Sequence, residues 1–190
     1  MRPTLLNWTL ACMALPWCSF GFSQERTLLR VVRSEVTFVS DAPLERITAS
    51  NMKCSGLLDP AARTFAVQVP VAEFQGFNSP LQREHFNENY MESRTWPKAN
   101  FAGRIIDEMD FSTPGTRSVR AKGTLMIHGL EKERIIPCTV VVSAEGARVT
   151  ARFEVALDDH AIRIPRIVHQ KIAPLIQVEL DLLFRPAPGT

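Results

Sequence analysis

The side chains that could do chemistry are few and scattered. The four histidines are His85, His128, His160 and His169; no two stand at the short helical spacing of a zinc motif, and no Cys-x-x-Cys occurs. Lone histidines of this kind are ordinarily surface residues or satisfied core residues. Asp158-Asp159-His160 sets two acids beside a base, but it follows a strand-like run, where Asp is good turn chemistry. Asp107, Glu108 and Asp110 crowd another connection and lack the further oxygens and the glycine of a calcium loop. There is no G-x-S-x-G elbow and no phosphate loop, so two common catalytic frames are missing. Residue types alone therefore point to no enzyme, no metal and no cofactor.

The elements that would have to position any site belong to one ordinary domain. The chain has 190 residues, 45% of them hydrophobic and 22% charged, which is globular composition. Its 22 Lys and Arg nearly balance 20 Asp and Glu, leaving +2, with no block of like charge. That balance generates no field to gather nucleic acid, and no nucleic-acid partner is expected. Residues 1–23 read as a secretory signal peptide: Arg2 is their one charge, an apolar run spans Leu5 to Phe22, and Gly21 and Ser23 sit at the small positions of a cut before Gln24. The apolar run approaches the length of a membrane anchor, but Asn7, Pro16 and Gly21 interrupt it. The expectation is a periplasmic or secreted domain over 24–190. Its cysteines, Cys54 and Cys138, then meet an oxidising compartment as one disulfide or as two buried free thiols; the sequence leaves both open.

The dominant pattern in that domain is period-two alternation, the mark of antiparallel strands with one solvated face. Val119, Ala121, Gly123, Leu125 and Ile127 form one such run; Val149, Ala151, Phe153, Val155 and Leu157 form another, between Arg148, Thr150, Arg152 and Glu154. Turn signals at Asp59-Pro60, Pro114-Gly115 and Glu145-Gly146 separate about eight strands, which fits a closed barrel or a two-sheet sandwich. Inward Gly103, Ala121, Gly123 and Ala151 suit either a tapered, filled core or room for a ligand. Three short helical segments are expected. One is a turn from Asp41-x-Pro43 to Ala49, one a helix opened by Ser79-Pro80-Leu81-Gln82 and running to about Ser93, and one a short helix over Pro165–Ala173.

Three stretches carry a family resemblance. Gln82-Arg83-Glu84-His85-Phe86-Asn87-Glu88-Asn89-Tyr90-Met91-Glu92-Ser93, leading through Trp96-Pro97 into Phe101, resembles the signature helix of the YceI-like family. Gly123-Thr124-Leu125-Met126-Ile127-His128-Gly129-Leu130-Glu131-Lys132 is similar to its G-x-L-x-I-x-G-x-x-K hairpin, and Ile162 to Ile172 follows in the expected order. The similarity covers roughly 34–184. It departs at Glu84, where the family often has Asp, and at Asn87-Glu88-Asn89, more polar than the phenylalanine-rich helix of other members.

The resemblance implies an all-β fold: an antiparallel lipocalin-like barrel of about eight or more strands with two or three short helices. It also implies a non-enzymatic carrier for a long apolar ligand, a polyisoprenoid lipid or isoprenoid quinone, with transient membrane or lipid-donor contact. The channel would be lined by residues such as Phe38, Phe65, Phe101, Leu125, Val140, Phe153 and Val178. Arg83, His85 and Tyr90 would meet the head group at the mouth. The alternatives are a filled barrel acting as a structural or interaction domain, and an enzyme acting on a lipid or quinone, with His85 or His128 as first suspects. Oligomeric state is not legible.

Overall fold

A computed structural model describes residues 28–187. The expected signal peptide and its cut before Gln24 lie outside the described residues. Nine strands follow one another: β1 (Leu29–Asp41), β2 (Arg46–Asn51), β3 (Ser55–Asp59), β4 (Thr64–Pro70), β5 (Lys98–Ile105), β6 (Gly115–Ile127), β7 (Leu130–Ser143), β8 (Gly146–Ala156) and β9 (Leu175–Pro186). All pairings are antiparallel, and β1 closes the sheet on β9 from Leu29↔Pro186 to Val39↔Gln177. The wall is thus a barrel of eight strands, and β2 is the extra ninth. β2 and β3 lie end to end along one edge of β1, and only β3 goes on to pair with β4. Beside β2 the chain after β4 covers the opening: Ser50 bridges Gln75, and Asn51 Nδ2 donates to the Pro70 carbonyl at 2.7 Å.

The alternation read from sequence holds through β5 to β9. Val119, Ala121 and Leu125 of β6 and Ile136, Val140 and Val142 of β7 are buried, whereas Arg120 and Lys122 are exposed. In β1 the alternation breaks at Val32, where a bulge between Val31 and Arg33 inserts one residue and changes which parity faces inward. Val31 packs on the core before the bulge; Val36 and Phe38 do so after it.

Two helical expectations fail. Residues 42–45 form a tight turn, and the rest of the stretch expected to be helical is strand β2, in which Ile47 and Ala49 are buried against β1. Six residues of β2 pair with β1 and Ser50 bridges Gln75 on the other edge, which outweighs the local Asp-x-Pro signal. The 165–173 segment contains only a 3-10 turn at Arg166–Val168. The Ser79 helix is present: α1 (Pro80–His85) continues as one π turn, Phe86–Tyr90.

The two barrel ends differ. One carries the β3–β4 turn, the 106–114 loop and the tight β7–β8 turn. The other, called the mouth below, carries the β1–β2 turn, the 71–97 segment with α1, the His128-Gly129 hairpin turn and the 157–174 connection. His128 and Gly129 both have positive φ (50° and 73°), the signature of a type I′ turn that matches strand twist. The floor, away from the mouth, is filled: Leu58, Ile105, Val119, Val140, Val142, Ala147, Leu182 and Phe184 are buried in one cluster, with Met109 and Phe111 packed on it. Toward the mouth Leu125, Val155 and Phe74 are buried, whereas Phe38, Phe65, Phe101, Phe153 and Val178 are only half-buried.

Candidate functional site

The site is built around α1. Ser79 Oγ accepts from Gln82 N at 3.2 Å, and Pro80 stands at the first helical position, where its missing N–H costs nothing. Gln82 Oε1 accepts from Asn78 N at 3.0 Å, and its Nε2 donates to Glu45 Oε1 at 3.0 Å, tying the helix to the β1–β2 turn. Phe86 reaches inward from the π turn. Its ring centroid lies 5.3 Å from stacked Phe38, 5.1 Å from Phe77 and 5.8 Å from Phe74. Phe38 also meets Phe74 edge-on at 5.2 Å. These rings close the mouth, and Glu88 and Asn89 stay exposed.

Of the three expected head-group residues, the structure separates Arg83 from His85. Arg83 is half-buried; its Nη2 donates to the Ala72 carbonyl at 2.9 Å, while its Nε is buried without a partner. One turn on, Asn87 Nδ2 donates to the Arg83 carbonyl at 3.0 Å, and Asn87 Oδ1 is likewise buried without a partner. Both residues line a cleft of about 490 Å³ with Phe77, Asn78 and Glu84. The cleft is thus bordered by two residues that each keep one buried, unpartnered polar atom, a donor and an acceptor. His85 is exposed and stands outside this cleft. Tyr90 is half-buried, and burial pushes its phenol pKa up. The sequence marks Asn87 as an unusually polar helix position but not as a head-group residue; its place at the cleft depends on the 75–80 loop folding back beside it.

Phe38, Val178 and Phe153 stand in one row across β1, β9 and β8, all inward and all half-buried. Phe65 and Phe101 pair at 5.0 Å on β4 and β5, also half-buried. Leu125, opposite Phe101, is buried, and Val140 on the floor is wholly inaccessible, at 0% exposure. A second concavity of about 850 Å³ lies outside, along β6 to β9 and β1, and includes none of these seven residues. Its two arginines are held by carboxylates: Arg120 by Asp107 at 2.7 Å, and Arg152 by Glu179. It is a polar groove, unsuited to an apolar tail.

His160 is fully buried, not the solvated turn residue its neighbours suggest. Its Nδ1 lies 3.1 Å from the Leu130 carbonyl and must donate there; Nε2 has no partner. Its own carbonyl accepts from His128 Nδ1 at 3.0 Å, which docks the 157–160 turn on the hairpin. Burial is the main cause that lowers the His160 pKa below 6.5, because a charged ring there would be dry. Above about pH 7.5 the ring is neutral folded and unfolded alike; as pH falls through 6.5 the unfolded chain takes the proton first. Urea stability is therefore expected to be flat above about pH 7.5 and to fall as pH drops toward 5, before carboxylates titrate. His160→Gln should abolish that slope; an unchanged slope would place its origin elsewhere.

Cys54 and Cys138 are free thiols, which resolves the open alternative. Cys54 Sγ lies 3.8 Å from the Asn51 carbonyl, and burial raises both thiol pKa values, that of Cys138 to about 11. Among the described residues no group of three or more His, Cys, Asp or Glu is placed to hold a metal.

A closed antiparallel barrel with a phenylalanine-plugged mouth and a polar cleft beside its one helix is a lipocalin-like architecture. The YceI-like domain model matches residues 29–184, and the chain belongs to the YceI-like family. Solved structures share the fold. BcnA of Burkholderia cenocepacia is 18% identical with a TM-score of 0.66, over 78% of this chain and 94% of that one. A polyisoprenoid binding domain from Saccharophagus degradans is 14% identical with a TM-score of 0.70, over 86% and 100%. The YceI protein of Campylobacter jejuni is 12% identical with a TM-score of 0.51, over 98% and 94%. No curated protein matches the sequence.

Proposed function

We propose that this barrel is a periplasmic or secreted carrier for a long apolar ligand of the isoprenoid class, a polyisoprenoid lipid or an isoprenoid quinone, and not an enzyme. The observation that carries the reading is the pairing at the mouth: half-buried apolar side chains inside, and beside them a cleft lined by Arg83 and Asn87, whose Nε and Oδ1 are buried without partners. The tail would lie among Phe38, Phe65, Phe101, Phe153 and Val178 and the head at Arg83 and Asn87. Membership of the YceI-like family and the polyisoprenoid binding domain among its structural neighbours support this ligand class. Each buried CH₂ is worth about 0.8 kcal/mol against water, but a bilayer is equally apolar. Most of that term cancels in exchange with a membrane, so loading and release are both feasible.

Protein purified from its native host should yield an isoprenoid species by lipid mass spectrometry, and repeated absence would count against the reading. N-terminal sequencing of the exported protein should begin at or near Gln24; a start at Met1 would remove the export argument. Arg83→Ala should strip most of the bound lipid with little change in melting temperature, whereas His85→Ala should keep it. Equal retention in both would move the head group away from α1.

A filled barrel without lipid is the second reading, favoured by the burial of Leu125 and the complete burial of Val140, and by the position of both clefts outside the seven expected lining residues. The same mass measurement separates the two.

A further inference from the structure

Exposed apolar side chains on the barrel wall are isolated by charge: Ile135 stands opposite Lys122, and Val141 opposite Arg148. Single exposures of that kind are ordinary. The mouth is different. Leu81 on α1, Leu44 on the β1–β2 turn and Ile167 on the 157–174 connection are 58%, 66% and 92% exposed. Hydrogen bonds between adjoining residues hold these three connections side by side. Gln82 Nε2 donates to Glu45 Oε1 at 3.0 Å on one side of Leu44, and Leu44 N donates to the Gln170 carbonyl at 2.9 Å on the other. An apolar ridge therefore crosses three separate connections at one end of the barrel.

Charge along the ridge is unequal. From Ala161 to Val178 the chain has Arg163, Arg166 and Lys171, with His169, and no acid. All four are exposed, and among the described residues none forms an ion pair. Asp158 and Asp159 lie earlier in the same connection, and Glu84 and Glu88 lie on the α1 side. Glu45 is engaged by Gln82 and Asn78, and Arg46 by Asp41. The basic side is thus the Ile167 side.

We infer that the Leu44–Ile167 side of the mouth docks on an anionic lipid bilayer, with Ile167 and Leu44 inserted among head groups and Arg163, Arg166 and Lys171 against lipid phosphates. This rests on the carrier reading above and gives it an orientation: the mouth opens onto the membrane. Apolar tips supported by unpaired basic side chains suit an interface where one part is greasy and the other negative. A protein partner would not need that combination on so exposed a side chain as Ile167.

The test is co-sedimentation of the full mature protein with vesicles, run beside binding of dansylated geranylgeraniol delivered in cyclodextrin. Partition onto phosphatidylglycerol-rich vesicles should exceed that onto phosphatidylcholine at least tenfold and collapse at high salt. Arg163→Gln/Arg166→Gln/Lys171→Gln should weaken it about a hundredfold, at roughly fivefold per charge. Leu44→Ser/Ile167→Ser should weaken it at low and high salt alike. Both variants alter exposed groups and should keep the melting temperature and the prenol binding in solution. Partition unaffected by either variant, or no preference for phosphatidylglycerol, would overturn docking while leaving prenol binding to judge the carrier reading. Vesicle binding without prenol binding would keep docking and sink the carrier. If the Leu44/Ile167 variant instead changes self-association by size exclusion, the ridge is a contact between copies and the proposal falls.

Discussion

Gly103→Ala is expected to cost about 3 kcal/mol or more, and to leave the barrel partly unfolded at ordinary temperature. Gly103 of β5 pairs directly with Gly123 of β6. A Cβ built at Gly103 would lie 2.1 Å from the Lys122 carbonyl oxygen and 2.5 Å from the Gly123 Cα; one at Gly123 would lie 2.3 Å from the Ala102 carbonyl oxygen. These obstacles are backbone atoms of the paired strand, so no rotamer change relieves them. Glycine inside a strand commonly marks a sharp barrel corner where two backbones come close, and that is the geometry here. Gly76→Ala is the control. It has φ of +98°, but its added Cβ would find its nearest neighbour at 3.6 Å, so only the backbone penalty of about 1 kcal/mol applies. Urea denaturation of the three proteins decides: a Gly103→Ala midpoint matching that of Gly76→Ala would mean β5 and β6 are not pressed together.

Those glycines also show where sequence reading stops. Small inward residues at 103 and 123 are compatible with a tapered core or with space for a ligand, and the real cause, two strands touching, is a pairing that no single strand displays. β6 to β9 were legible because each is long and turns mostly apolar residues inward, so alternation shows despite local breaks such as Leu182-Leu183-Phe184, all three of them buried. β1 was legible only after its bulge, since one extra residue at Val32 turns Val31 and Val36 to the same side despite opposite parity. β2 and β3 are short and carry few large apolar side chains, and the turn chemistry of Asp41-x-Pro43 spoke louder than Ile47 and Ala49. Much the same local chemistry at Ser79-Pro80 did give a helix, because nothing there competes by pairing. At the site, Arg83 could be chosen by residue type, whereas Asn87 and the Phe38–Phe74–Phe77–Phe86 contacts join segments far apart in sequence.

Val140→Asp and Phe101→Asp should destabilise by clearly different amounts, about 5 kcal/mol for the first and about 2–3 kcal/mol for the second. Both replace an inward apolar side chain on a strand of the same wall. Val140 sits on the floor at 0% exposure, packed in the cluster with Val142, Leu182 and Phe184, so a carboxyl there loses burial and meets no water or donor. Phe101 is half-buried against Phe65, and a carboxyl in its place would retain access to solvent. Its main loss is the apolar contact of one ring. The contrast therefore measures whether the upper lumen is reachable space or filled core, which is what separates a carrier from a structural barrel. Bound prenol adds a second reading: it should raise the melting temperature of the wild type and of Val140→Asp, if that variant folds, but fail to do so for Phe101→Asp. A Phe101→Asp loss as large as that of Val140→Asp would mean that the lumen is packed at both levels and has no room for a tail. A Phe101→Asp loss below about 0.5 kcal/mol would mean that the side chain faces solvent and the register of β5 is shifted by one.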